Sequence, residues 1–152
     1  KAVFLSKPSV PLPHIAALLL STVFRHSEES YQVESLRARL LLEKTLYNFD
    51  KANAFENFEK AHKLICSNKT PERHYPYRQV GQYVEYYNKF YSFFTHNEKV
   101  SFMLMCVEIN KKMNEYVNRT NNYERNNRSK NREISNIILR VKRIIDEMGA
   151  DC

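Results

Sequence analysis

The chain has 152 residues, of which 43% are hydrophobic and 27% charged, and its formal net charge is +7. This length suits one domain that buries a core without help from disulfides or a metal. Only two glycines are present, which argues against β-hairpin proteins and phosphate-binding loops because both consume glycine in tight turns.

Hydrophobic periodicity predicts an all-α fold of about six helices, since no segment alternates with period two. We expect residues 1–12 to form a linker or extended segment, and 13–149 to form one helical domain in a chain cut from a longer protein. The first helix follows Pro13, and the next two cover about 29–47 and 51–66, with Asp50 as a cap. Their predicted inward residues are Ile15, Leu18, Leu19 and Val23, then Val33, Leu36, Leu40, Leu41 and Tyr47, then Ala54, Phe58, Ala61 and Ile65.

Three further helices are predicted over about 77–94, 97–117 and 132–148. Asn97 is the expected cap of the fifth, and Gly149 the expected stop of the last. The inward residues of these two are predicted to be Val100, Met103, Leu104, Val107 and Val117, then Ile134, Ile137, Ile138, Val141, Ile144, Ile145 and Met148. Short connections favour antiparallel hairpins, in a compact bundle or a helical-repeat array.

The fourth helix carries seven aromatic rings between Gln82 and Phe94. At about 100° per residue they are not spread all round the helix. Most share one wide face with valines, which indicates burial against two neighbouring helices. Tyr86 and Phe93 fall at the margin of that face beside Arg78 and Lys89, so we expect these four residues to contact a partner.

The positive charge is concentrated near the C-terminus. The stretch from Lys111 to Arg143 has ten basic and three acidic residues, an excess equal to the net charge of the chain. We expect a flexible basic loop at about 118–131, and anion or nucleic-acid contacts from the basic side chains of the stretch. These are Lys111, Lys112, Arg119, Arg125, Arg128, Lys130, Arg132, Arg140, Lys142 and Arg143.

The segment from Arg37 to Ile65 resembles a tetratricopeptide repeat, a helix–turn–helix unit of 34 residues. Ala54, Phe58 and Ala61 match its small and aromatic positions, and Leu41 matches a leucine of its first helix. Leu42, Thr45 and Cys66 depart from the pattern, and no second copy follows. The same segment is more distantly similar to a repeat in the helical-repeat subunit of the cohesin loader. The resemblance implies partner binding and no catalytic residues.

No catalytic, nucleotide-binding or zinc-protease motif is present. His62 and Cys66 lie four residues apart on one helix, but two ligands are half of a structural zinc site, so we expect no metal and no cofactor. Cys66, Cys106 and Cys152 are odd in number and widely spaced, which favours reduced thiols in an intracellular protein. The longest apolar run, Ile15 to Leu20, is far shorter than the roughly 20 residues of a membrane span.

The sequence therefore predicts a non-catalytic interaction or scaffold module of a nuclear or cytoplasmic protein, which binds a partner segment between its helices. One alternative is a nucleic-acid-binding module that uses residues 111–143. Another is a secreted four-helix, cytokine-like protein, because Asn68, Asn118 and Asn127 begin glycosylation-type triplets.

Overall fold

The computed structural model describes residues 26–66, 77–124 and 128–151. These residues form five α-helices and no strand, which confirms the all-α prediction. The helices are α1 (His26–Asn48), α2 (Ala54–Cys66), α3 (Tyr77–Phe90), α4 (His96–Glu124) and α5 (Arg128–Asp151), with a 3-10 turn at Tyr91–Phe93. The segment 1–12 and the helix predicted at Ile15 to Val23 lie outside the described residues.

The helices pack in two layers. α1 packs along α2, and α4 packs along α5. α3 contacts both α1 and α5, while α2 contacts α4. The odd-numbered helices therefore form one layer and α2 and α4 the other, with the core between them.

Two helices bury the faces that their sequences predict. Every predicted inward residue of α2 is buried, and those of α5 are buried or half-buried. α5 continues through Gly149 to Asp151 instead of stopping there. The reason is that Gly149 does not adopt the positive φ with which glycine ends a helix.

α1 buries a different face from the predicted one. Its buried residues are Ala38, Leu42, Thr45 and Leu46. The predicted inward residues Val33, Leu36, Leu40 and Tyr47 are instead 51% to 88% exposed. The Thr45 hydroxyl donates to the Leu41 carbonyl at 2.8 Å and accepts from Asn57 Nδ2 of α2 at 3.0 Å. α1 thus has two apolar faces, and α2 and α3 cover only one of them.

α4 is also rotated from its predicted orientation. Its buried residues are Phe102, Cys106, Ile109, Met113 and Tyr116. Leu104 and Val107, which were predicted to face inward, are 58% and 43% exposed. The Phe102 ring decides this orientation, because it packs on the buried Phe58 ring with centroids 4.6 Å apart.

The ends of α4 differ from the prediction as well. Thr95, not Asn97, caps the helix, since its hydroxyl accepts from the Glu98 N–H while the Glu98 carboxylate accepts from the Thr95 N–H. At its other end α4 reaches Glu124, and α5 begins at Arg128. Most of the predicted 118–131 loop is therefore helical. No glycine or proline interrupts it, and polarity alone does not end a helix.

α3 is held at the centre of its layer. Its predicted apolar face is buried or half-buried, from Val80 to Phe90. Three of its polar side chains donate to α1: Gln79 to Ser35, Gln82 to the Arg39 carbonyl and Lys89 to the Leu46 carbonyl. These bonds fix the position of α3 along the axis of α1.

Candidate functional site

A groove of about 660 Å³ lies between α1 and α2. The residues that line it are Arg37, Leu40, Leu41 and Lys44 from α1 and Lys60, Lys63 and Leu64 from α2. Its apolar lining residues are leucines, and every charged residue in the described part of the lining is basic. A volume of this size falls within the range of pockets that hold ligands or peptide side chains.

The exposed face of α1 continues the groove along the helix. At about 100° per residue, Val33, Leu36 and Leu40 share one side, with Arg37 and Lys44 close beside them. Arg39 and Glu43 form an ion pair of 3.6 Å on the opposite flank. Lys60 contacts Glu56 of its own helix at 3.1 Å. Among the described residues, the groove therefore joins an exposed apolar stripe to a positive rim.

An aromatic cluster lies at the C-terminal end of α1. Phe49 has a φ of 49°, and its ring stacks on buried Phe90 with centroids 5.6 Å apart. Phe93 meets the Phe49 ring edge-on at 5.9 Å. The Lys51 ammonium lies 4.7 Å from the Phe93 centroid and 5.3 Å from that of Phe49, which is within cation–π range.

A polar cluster links α2, α3 and α4 in the core. His62 Nδ1 lies 2.7 Å from the Tyr83 hydroxyl, and its Nε2 lies 2.6 Å from Glu108 Oε1. An ionised carboxylate only accepts hydrogen bonds, so Nε2–H donates to Glu108 and Nδ1 accepts from Tyr83. Cys66 Sγ lies 3.6 Å from the same Nε2. His62 is 5% exposed, whereas the Glu108 side chain is 53% exposed.

Burial dominates the electrostatics of this cluster. It lowers the pKa of His62, although the hydrogen bond and the charge of Glu108 oppose the shift. Burial also raises the pKa of the Cys66 thiol to about 12, and Glu108 adds to that shift. Lys112, one turn beyond Glu108 on α4, acts on both groups in the opposite sense from Glu108. The imidazole and the thiol are therefore uncharged at neutral pH.

The residues predicted to contact a partner are not brought together as one surface. Tyr86 is fully buried, because its ring packs on Phe58 and Phe90. Lys89 is engaged by the Leu46 carbonyl at 3.1 Å. Phe93 is 53% exposed and keeps its predicted surface position. The side chain of Arg78 lies outside the described residues.

The structure describes six of the ten side chains predicted to contact anions. Lys111, Arg132, Arg140, Lys142 and Arg143 are exposed, and Lys112 is half-buried. The side chains of Arg119, Arg125, Arg128 and Lys130 lie outside the part that the structure describes. Acidic Glu133, Asp146, Glu147 and Asp151 are also exposed on α5. The described surface of α5 is therefore mixed in charge.

Sequence reasoning missed Glu108 as a partner of His62, because the two residues are 46 positions apart on different helices. It also missed the groove, because it assigned Leu40 and Leu36 to the core. One signal was present in the sequence: Ala38, Leu42 and Thr45 form a second, smaller-residue face on α1.

Comparisons of the chain with protein-family models, with curated proteins and with solved structures found no match. Among the described residues, no helix combines the length and apolar character that crossing a bilayer requires.

Proposed function

We propose that the chain is a protein-interaction module whose groove between α1 and α2 binds an acidic amphipathic helix of a partner. The observation that carries this proposal is the pairing, among the described residues, of an exposed leucine floor with a rim whose charged residues are all basic. An apolar helix face laid in a groove, with carboxylates along its edges, satisfies both features at once.

The apolar part supplies most of the binding energy. Leu36 and Leu40 are 51% and 54% exposed, and Val33 is 56% exposed. Covering half of such a side chain contributes on the order of 1 kcal/mol, so these three support a binding energy of a few kcal/mol before Leu41 and Leu64 of the groove are added. A docked helix also removes from water a stripe that a monomer would otherwise leave exposed.

The basic rim steers association and selects the charge of the partner. Arg37 and Lys44 lie on one wall of the groove and Lys60 and Lys63 on the other. Charges at the rim of an interface mainly raise the association rate and reject partners of the same sign. A basic helix of equal apolarity is therefore a poor occupant of this groove.

The layer arrangement supports the same class of function. Contacts of α1 with α3, of α3 with α5 and of α2 with α4 repeat the neighbour relations of helical-hairpin arrays, which bind extended partner segments on their surfaces. The tetratricopeptide-like segment supplies the hairpin that bears the groove. Ala54, Phe58 and Ala61 are fully buried within that hairpin.

Nucleic-acid binding is the second candidate function. Arg132, Arg140 and Arg143 fall within about 80° on the outer side of α5, and all are exposed. The acidic residues of the same helix weaken the positive field there, so we rank this function below peptide binding.

The test uses charge reversal at two places. Lys44→Glu with Lys63→Glu reverses the groove rim, and Arg140→Glu with Arg143→Glu makes the same change in net charge on α5. The probe is a labelled helical peptide of about 20 residues, with leucine at i, i+3 and i+7 and glutamate on its flanks. Anisotropy should show binding to the wild type and to the α5 variant, and a loss of at least about tenfold for the groove variant.

Three controls decide between occupants. A scrambled peptide with the same composition, and a version with lysine in place of glutamate, should both bind at least about tenfold more weakly. Binding of single-stranded oligonucleotide that falls steeply with salt and is lost only in the α5 variant would favour nucleic acid instead. Equal binding of all three peptides would reject the proposed groove function.

A further inference from the structure

The His62 cluster contains three side chains of metal-ligating type. His62, Cys66 and Glu108 place their ligand atoms within 4.8 Å of one another, the one such group found among the described residues. Each residue offers a different donor atom: an imidazole nitrogen, a thiolate sulfur and a carboxylate oxygen.

The distance between Cys66 and His62 matches the edge length of a tetrahedral site. Zinc binds sulfur at about 2.3 Å and imidazole nitrogen at about 2.0 Å, so its sulfur and nitrogen ligands lie about 3.5 Å apart. Cys66 Sγ and His62 Nε2 are 3.6 Å apart. The same sulfur lies 3.8 Å from Nδ1, so Nε2 is the nearer of the two ring nitrogens.

Tyr83 supplies the support that a ligating histidine needs. A histidine that binds metal through one nitrogen donates its other N–H to an oxygen, which fixes the ring. Tyr83 lies 2.7 Å from Nδ1, and its hydroxyl oxygen can accept as well as donate. The imidazole is therefore held for coordination through Nε2.

We infer that His62, Cys66 and Glu108 form a binding site for a divalent transition metal, with zinc as the ion whose ligand preferences fit best. On binding, the Cys66 thiol gives its proton to solvent, and the His62 ring exchanges its proton at Nε2 for one at Nδ1. The new Nδ1–H donates a hydrogen bond to the Tyr83 hydroxyl oxygen, and the Tyr83 O–H rotates away from the ring. The Nε2–H bond to Glu108 is replaced by bonds from both atoms to the metal.

Glu108 is the ligand that has to move. Its Oε1 is 2.6 Å from Nε2, whereas two ligands of one zinc ion are about 3.3 Å apart. Its side chain is 53% exposed, so it can withdraw toward solvent and lengthen the Oε1 to Nε2 separation by the roughly 0.7 Å required. The exposed side of Glu108 also leaves the fourth position to water, as in zinc sites with three protein ligands.

The site lies at the meeting of three helices, so a bound ion would join α2 to α4 directly. That position differs from the groove between α1 and α2, and it does not depend on the groove's occupant.

The experiment titrates the untagged, chelator-treated chain with zinc chloride by calorimetry. We expect one site per chain, a raised melting temperature, and at least about tenfold weaker binding in Cys66→Ser and in Glu108→Gln. Matched controls are Cys106→Ala and Glu115→Gln, which remove the same donor types from α4 outside the cluster. Both should bind as the wild type does.

Cobalt provides a readout on the unaltered chain. A tetrahedral cobalt complex with a thiolate-to-metal charge-transfer band is expected for the wild type, and loss of that band for Cys66→Ser. Absence of a single zinc site in the wild type, or unchanged affinity in both cluster variants with native circular dichroism, would overturn the inference.

Discussion

Phe49 shows how one residue is held in a conformation that its type disfavours. It occupies the position after the α1 C-terminus with a φ of 49°, where glycine is usual. The Phe49 N–H donates to the Leu46 carbonyl, and the Asp50 N–H donates to the Thr45 carbonyl, so the Schellman pattern is complete. Stacking on Phe90 offsets the backbone strain. Sequence patterns did not predict this conformation, because phenylalanine carries no turn signal.

At Phe49 we expect the glycine variant to be more stable than the alanine variant, which is the reverse of their usual order in a helix. Phe49→Ala loses the ring contacts but keeps the strain, and should destabilise the chain by about 1–2 kcal/mol. Phe49→Gly loses the same contacts but relieves the strain, and should be more stable than the alanine variant by about 0.5–1 kcal/mol. Urea unfolding measures both variants, and a glycine variant less stable than the alanine variant would contradict the assignment.

At the scale of the helix, the pattern predicted α2 and α5 correctly because each has one apolar face. α1 has two, and periodicity alone cannot choose between them. The structure buries Ala38 and Leu42, since a small residue lets α2 approach closely, while the stripe through Leu40 is left uncovered. The candidate groove was unpredictable for the same reason: its leucines had already been assigned to the core.

Two leucines of α1 test which face is buried. Leu42 is 0% exposed and Leu40 is 54% exposed. Leu42→Ala should lower the free energy of unfolding by about 2–5 kcal/mol, whereas Leu40→Ala should change it by less than about 1 kcal/mol. Chemical denaturation followed by far-UV circular dichroism gives both values. The opposite ranking would mean that the originally predicted face is the buried one.

At the scale of the whole molecule, the sequence predicted the fold class, because helix periodicity is local. It could not predict the layers or the His62 cluster, since Tyr83 and Glu108 reach His62 only through the packing of three helices. The wide aromatic face of α3 was predicted, but the full burial of Tyr86 depends on Phe58 of another helix.

The burial of Tyr86 makes the free energy of unfolding fall at alkaline pH. Burial raises the pKa of Tyr86 from 10 to about 12. The unfolded chain therefore ionises first, and the contribution of Tyr86 is complete below pH 10 and lost as pH rises toward 12. Relative to Tyr86→Phe, the wild type should lose up to about 1.4 kcal/mol per pH unit in that window. Urea unfolding at pH 8, 10 and 11 compares the wild type with Tyr86→Phe. Free energies of unfolding that change with pH in parallel would refute the predicted contribution of Tyr86.

The hydrogen bonds of Thr45 select which of the two apolar faces of α1 packs against the other helices. Leucine side chains would let α1 settle on its neighbours by either face, since hydrophobic contact has no direction. The Thr45 hydroxyl donates to the Leu41 carbonyl of its own helix and accepts from Asn57 of α2. Only the bond from Asn57 depends on the rotation of α1, because it requires Thr45 to face α2. Thr45 therefore specifies the orientation of α1, as a single polar core residue specifies register in coiled coils. In that view, the polar contact contributes uniqueness of structure rather than stability, and it holds the face of α1 that bears Leu36 and Leu40 away from α2 and α3.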